Sequence, residues 1–260
     1  MKNRKSKTAG QAISKDSIFF APSMNGKDRL EFYSFLSHIL RGPLVGATGY
    51  IDYVFMGYAG ALNKQQLRQL SMSRESILEL NRVIDVFLDV VAFDLNLIKP
   101  ESSRIDIAAD IKTAQPLFRE ISVKSKTPIS VSVPPEPVYA AMSREWTKPL
   151  FYEVAAGAAF FSGEGMPVRI TVRRAGRWAE ILINVSQDKD SRQTNNLLRP
   201  FAAPAYAISK HGLKRTGLGF NLAKKIAEAH GGKLSAKTVR DALLVKVMLP
   251  AAAQPRRRTA

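Results

Sequence analysis

The chain has 260 residues, enough for one large domain or two small ones with a real core. It carries 39 Lys and Arg against 22 acidic residues, a formal charge of +17, yet 45% of it is apolar, so it folds and is not a disordered polycation. The absence of cysteine excludes disulfides, a thiol nucleophile and thiolate zinc, and suits a reducing cytosol. No apolar run reaches the length of a membrane span, and no h-region follows the basic N-terminus to make a secretory signal. The expected location is therefore cytoplasmic.

Residues 1–27 read as a flexible basic lead-in, with Lys2, Arg4, Lys5, Lys7 and Lys15 opposed only by Asp16 over the first sixteen positions. From about Asp28 to Met56 the pattern is helical. Tyr33, Leu40, Ala47 and Val54 recur every seven residues, with Leu36 and Tyr50 three places after two of them. After the turn-like GYAGALN a second such stretch follows, on Leu70, Ile77, Ile84 and Val91 with Leu80 and Phe87. Two heptad-patterned helices of ~40 Å joined by a short turn predict an antiparallel hairpin over residues 28–97. One hairpin covers only one seam, so a homodimer closing into a four-helix bundle is expected.

The texture changes near residues 97–103, and residues 103–250 mix strands and helices. IDIAADIKTAQPLFREISVKS reads as a strand then a helix, PISVSVPP as a strand, and 144–161 as an apolar helix. VRITVRR and AEILINV alternate like a hairpin; 186–216 is a long polar loop. TGLGFNLAKKIAEAHGG opens a helix from a glycine turn and closes it with a glycine pair, and KLSAK and ALLVKVMLP supply the last strands. The class is α+β: a helical hairpin followed by an α/β two-layer sandwich. Residues 251–260 form a basic tail ending near Arg256, Arg257 and Arg258. With both tails set aside, +10 remains on the body and favours acidic partners by long-range attraction. Interleaved aromatic and basic residues of the kind that stack bases are missing, which argues against nucleic acid.

Two groups of residues carry candidate chemistry. His38, in SHILRGPL, falls at heptad position f when Tyr33 is a, pointing away from the seam beside Ser34, Arg41 and Val45. An exposed neutral imidazole on a rigid helix can attack a phosphoryl donor, and it can equally be a plain surface histidine. Pro43 removes a helical hydrogen bond one turn later, which predicts a kink. Gly217 and Gly219 let the backbone approach a phosphate at a helix N-terminus, with Lys210, Lys214 and Arg215 nearby; the simpler alternative is a helix entry turn. His230, Gly231 and Gly232 read as a helix C-terminal cap.

These strings together resemble the sensor histidine kinases. SHILRGPL is similar to the H-box, commonly S-H-[DE]-L-R-x-P-L, and GYIDYV continues it in register. LNRVIDVFLDVVAFD resembles the second helix of the dimerisation and phosphotransfer domain. TGLGFNLAKKIAEAHGGKL is similar to the second glycine box of the GHKL-type ATP-binding domain, and LLRPFAAP to the F-box, with Phe201 in the aromatic position. The boxes follow in the family's order over about residues 28–250. The resemblance implies a cytosolic protein-histidine kinase of a two-component system, with ATP and magnesium as cofactors. His38 would accept the γ-phosphoryl group and pass it to an aspartate on a response-regulator receiver domain. With about 27 residues ahead of the hairpin, input is expected from a partner.

The departures are specific. Ile39 stands where the family carries an acid that acts as general base, and Gly42 where many members carry a Thr or Asn that positions water. Aligned to the N-box, N-x-x-x-N-A-x-K-[FY]-[ST], the three functional positions become Glu153, Gly157 and Phe160. Glu153 remains a candidate magnesium ligand, since related ATPases such as type II topoisomerases carry a Glu there. The first glycine box aligns with VSQDKDS, which keeps no glycine; Asp188 is its candidate adenine-reading acid. Three readings follow: a working histidine kinase, a pseudokinase or histidine phosphotransferase scaffold that retains the hairpin, and a basic DNA-associated protein.

Overall fold

The computed structural model describes residues 25–162, 165–186, 198, 207–208, 214–215, 217–239 and 242–253. Helices α1 (Gly26–Phe55) and α2 (Lys64–Asp94) form the expected hairpin. Asn25 caps α1 through its side-chain oxygen, and Asn63 with Gln66 forms a reciprocal capping box on α2. Helix α1 is assigned unbroken through Pro43. Across the hairpin Arg41 pairs with Asp85 at 3.0 Å and Arg74 with Asp52 at 2.7 Å. Those two pairs set an antiparallel register in which residue 44 lies level with residue 82, and residue 38 with residue 88.

A second body follows, with strand β1 (Ser103–Asp106), helices α3 (Ile107–Thr113) and α4 (Gln115–Ser125), and strands β2 (Ile129–Ser132) and β3 (Tyr139–Met142). The sequence pattern suggested one helix after β1; there are two, because Pro116 at the start of α4 cannot continue an α3 ladder. Strand β3 was not anticipated. It pairs antiparallel with β1, and Asp106 ties the two together by capping α3 and accepting the Val138 backbone N–H. A 3-10 turn at Arg144–Trp146 leads into α5 (Thr147–Phe161).

The main sheet has the order β2-β4-β5-β9-β8, where β4 is Val168–Ala175, β5 Trp178–Ser186, β8 Lys233–Val239 and β9 Ala242–Pro250. Strands β2 and β4 are parallel and the other neighbours antiparallel. A short ladder of β6 (Ala207–Ile208) with β7 (Lys214–Arg215) precedes α6 (Gly219–Ala229). Alternation gives the sheet an apolar inner face of Ile170, Val172, Ile181, Ile183, Val245 and Val247, all buried against the helices. Its outer face carries Arg169, Arg173, Lys233, Lys237 and Lys246, with Glu180 held between Arg173 and Lys246. These five cations account for part of the basic excess of the body.

Helix α6 ends as anticipated. His230 is the C-cap, Gly231 takes φ 72°, and the Gly231 and Gly232 N–H groups donate to Glu228 and Ala227, a Schellman closure. A Cβ at Gly232 would stand 2.2 Å from the Met248 carbonyl oxygen, so strand β9 passes too close for any side chain there. Among the described residues no helix is long and apolar enough to cross a membrane. Phe151 is 1% exposed inside the core between α5 and the sheet. Its replacement by Ala is expected to lower stability by about 3–5 kcal/mol, read by chemical denaturation.

Candidate functional site

His38 stands exposed on α1, with Ile39 half-exposed beside it. Gly42, one turn on, has open space around the position of a Cβ. Tyr50 and Leu80, offset positions of the heptads, are 77% and 44% exposed, while Leu44, Leu88 and Val91 are buried in the hairpin. Phe35, Ile39, Tyr50 and Tyr53 line the face of α1 turned away from α2. The hairpin therefore presents one filled seam and one open apolar face.

The second candidate region is a cavity of about 680 Å³ between α2, α4, α5 and α6. Glu153, Gly157 and Phe160 lie on one stripe of α5, at spacings of four and three, and all three line it together with Gly219 and Phe220. A Cβ at Gly157 would stand 2.7 Å from the tip of the Phe220 ring, which itself stacks on Phe161 at 6.3 Å. The ring occupies the volume that an asparagine side chain at position 157 would fill.

Glu153 is 6% exposed and Arg82, from α2, donates to its Oε1 at 3.1 Å. Arg82 also meets Glu79 at 3.3 Å and sits 5.0 Å above the Tyr152 ring. The other oxygen of Glu153 lies 2.2 Å from where a Cβ of Gly219 would be, so a side chain at the first residue of α6 would displace that carboxylate. Helix α6 has no side-chain N-cap bond, and an acidic group beside its positive end is favourable. Burial nevertheless dominates and pushes the Glu153 carboxyl up to about 7, against the lowering effect of Arg82. Asp89, deeper along α2, is raised to about 6, first by burial and then by Asp85, with Arg41 opposing.

The structure thus brings Glu153 and Gly219 together, while His38 belongs to the other helix of the hairpin. Gly217 takes φ 73°, a conformation that favours glycine, directly before α6. Lys214 and Arg215 lie in β7, paired by backbone with Ile208 and Ala207. Asp188, Phe201 and Lys210 fall outside the described residues. Arg82 and Phe220 were not singled out from the sequence. Both sit inside family-like strings, but their roles arise from a helix of the hairpin and a helix of the sandwich meeting in space.

As a magnesium and triphosphate site the described residues do not fit. The one carboxylate on the stripe is engaged by Arg82, and Gly157 and Phe160 offer neither an amide oxygen nor a cation. Among the described residues no group of three or more His, Cys, Asp and Glu is placed to hold a metal.

No protein-family model matches the chain. Curated proteins similar to it include histidine kinase P4 of Formosa agariphila, 25% identical over 229 residues, and histidine protein kinase DivJ of Caulobacter vibrioides, 23% over 207 residues. Sensor protein kinase WalK of Staphylococcus saprophyticus is 25% identical over 218 residues. These matches cover 85%, 79% and 82% of this chain, which spans only 16%, 34% and 35% of those proteins. Among solved structures, full-length ShkA in complex with AMPPNP superposes with a TM-score of 0.68 at 17% identity, over 86% of this chain and 46% of that one. Acinetobacter baumannii histidine kinase AdeS gives 0.55 at 15% identity, over 83% and 98%. The likeness to the solved structures is one of fold.

Two outcomes test the cavity's geometry. Gly157→Asn is expected to destabilise the protein by about 1–3 kcal/mol through overpacking on Phe220, and Gly157→Asn with Phe220→Leu to recover most of it, both read from denaturation midpoints. Glu153 has a folded-state pKa above its ordinary value, so its contribution to stability is full below pH 4.5 and lost as pH rises towards 7. Asp89 adds to the same slope. Arg82, Glu79, Lys124, Glu120 and Tyr152 complete the charged or titratable surroundings on α2, α4 and α5. Glu153→Gln, which still accepts from Arg82, is expected to flatten the fall in unfolding temperature between pH 5 and 7.5.

Proposed function

We propose that this chain, a relative of the sensor histidine kinases in sequence and fold, carries a phosphoryl group on His38 in two-component signalling and accepts it from a receiver aspartate more readily than from ATP. The observation that carries the reading is the separation of two conditions. His38 keeps an exposed imidazole in an H-box-like string, while the cavity that faces the N-box-like stripe is lined by Phe220 and by the Arg82–Glu153 pair, with neither an amide at position 157 nor a cation at position 160. An imidazole needs only access and a neutral nitrogen to attack phosphorus. The P–N bond forms as the P–O bond to the aspartyl carboxylate breaks, and the carboxylate leaves as the anion. A receiver in this family brings its own metal and acidic pocket, so this exchange does not depend on an acid at Ile39. Transfer from ATP does, and general-base help is worth roughly 10²–10⁴-fold.

The open apolar face of the hairpin supports a homodimer as the working form, closing a four-helix bundle through residues 28–95. The basic body would steer an acidic receiver towards it, more strongly at low salt. A cytoplasmic site of action is part of this reading, as is weak nucleotide binding with little help from magnesium.

Incubation with a phosphorylated receiver domain is expected to place acid-labile phosphate on the chain, and His38→Gln to abolish it. Label that persists in His38→Gln would overturn the assignment, and no label with any receiver from the same genome would leave only a scaffold role. Tight, magnesium-dependent ATP binding in calorimetry would restore the kinase reading. Light scattering at micromolar concentration should give a dimer, and Ile84→Lys should split it, because an unpaired charge at the seam costs several kcal/mol.

A further inference from the structure

The sheet buries one face against α5 and α6, the helices that meet α2, so its other face points away from the hairpin and from His38. Arg169, Arg173, Asn184, Lys233 and Lys237 are exposed there, and Lys246 is half-buried among them. The strand register fixes their spacing. Arg173 and Lys233 share one cross-strand row, through Glu180 and Met248; Arg169 and Lys237 share another, through Asn184 and Leu244. With strands ~4.8 Å apart and ~3.4 Å per residue, these four cations mark the corners of a rectangle of about 14 by 13 Å. Lys246 lies inside it, in the row between. Beyond Arg173, exposed Arg177 sits 5.0 Å from the centre of the Trp178 ring and extends the array. Among the described residues of these strands the one acid on this face is Glu180, whose side chain is 6% exposed and already met by Arg173 and Lys246.

We propose that this face is a docking surface for double-stranded DNA, held through its phosphates without reading its sequence. The charge complementarity is local, because the cations are fixed on paired strands. The β4 and β8 columns stand about 14 Å apart, close to the ~12 Å width of the major groove, so each lies over one of the two backbones that border it. Thr171, Asn184 and Ser235 stand between the cations and add neutral donors suited to phosphate oxygens. A groove admits two strands and not five, so the bases stay unread. The missing base-stacking pattern excludes a single-strand platform, and the ring on this face, Trp178, is covered by Arg177. A bilayer fits less well. The sheet twists by roughly 20–25° per strand, so its face is a saddle; a plane touches only the raised corners, whereas a rod lies along the concave diagonal. A receiver that serves His38 needs the opposite side of the domain.

Fluorescence anisotropy of a short labelled duplex, titrated with the full chain at several salt concentrations, reads the contact directly. Affinity should fall steeply with salt, and Arg169→Glu with Lys237→Glu should weaken it about tenfold or more and flatten the logarithmic salt slope by about two. Arg169→Gln with Lys237→Gln, which adds no acid, should move both quantities in the same direction and serves if the reversal unfolds the chain by circular dichroism. Lys112→Glu with Arg119→Glu, exposed on α3 and α4, changes the net charge equally and should cost less than about threefold, as should Ala at Arg256, Arg257 and Arg258. No binding of the duplex, equal losses in the control pair, a loss confined to the tail variant, or tighter binding of a single strand overturns the assignment. Vesicles carrying an anionic phospholipid, bound as tightly as the duplex and released by the Arg169→Glu, Lys237→Glu pair, would make the partner a membrane and overturn it too. Displacement of the duplex by polyglutamate at equal charge would do the same in favour of an acidic protein. None of these residues belongs to the hairpin, so the outcome is independent of whether His38 takes up phosphate.

Discussion

The structure depends on one helix serving two apolar surfaces at once. α2 buries Leu88, Val91 and Leu95 within the hairpin and Val86 and Val90 in the core of the sandwich domain. Several of the charges it carries reach across to other elements. Asp85 and Arg74 cross to α1 and set the register of the hairpin; Arg82 and Asp94 cross to α5 and α6. The two bodies meet through two ionic contacts, Arg82–Glu153 and Asp94–Lys225, and through the apolar side chains of Val86, Val90, Phe87 and Phe93.

The same economy shapes the cavity. Gly157 and Phe220 are reciprocal: the Phe220 ring stands where a side chain at position 157 would begin, on the wall of the cavity. Gly219 and Glu153 are reciprocal as well, since the carboxylate needs the absence of a Cβ on the first turn of α6. In both pairs a glycine of one helix makes room for a side chain of the other, which brings α5 and α6 close together.

At His38 the balance is different. His38 is exposed, Gly42 has open volume where a Cβ would go, and Ile39 projects half-exposed beside it. The raised carboxyls of Glu153 and Asp89 show that burial outweighs the nearby cations along this part of α2.

The heptads at Tyr33, Leu40, Ala47 and Val54 and at Leu70, Ile77, Ile84 and Val91 determined the hairpin by themselves, because a period of seven has one helical solution. Alternation in VRITVRR and AEILINV determined two strands and which side chains face inward, and HGG after an amphipathic run determined the end of α6. The resemblance of SHILRGPL and TGLGF to kinase boxes located His38 and Gly219. Two features were not local and so were not legible: strand β3 needed β1 beside it, and Arg82 needed α5 across the gap; the break at Pro116 was local and is a proline's own doing. Periodicity records which face of an element is apolar, whereas the partner of a buried charge is decided only when distant segments close on each other, as Arg82 and Glu153 do across 71 positions of chain.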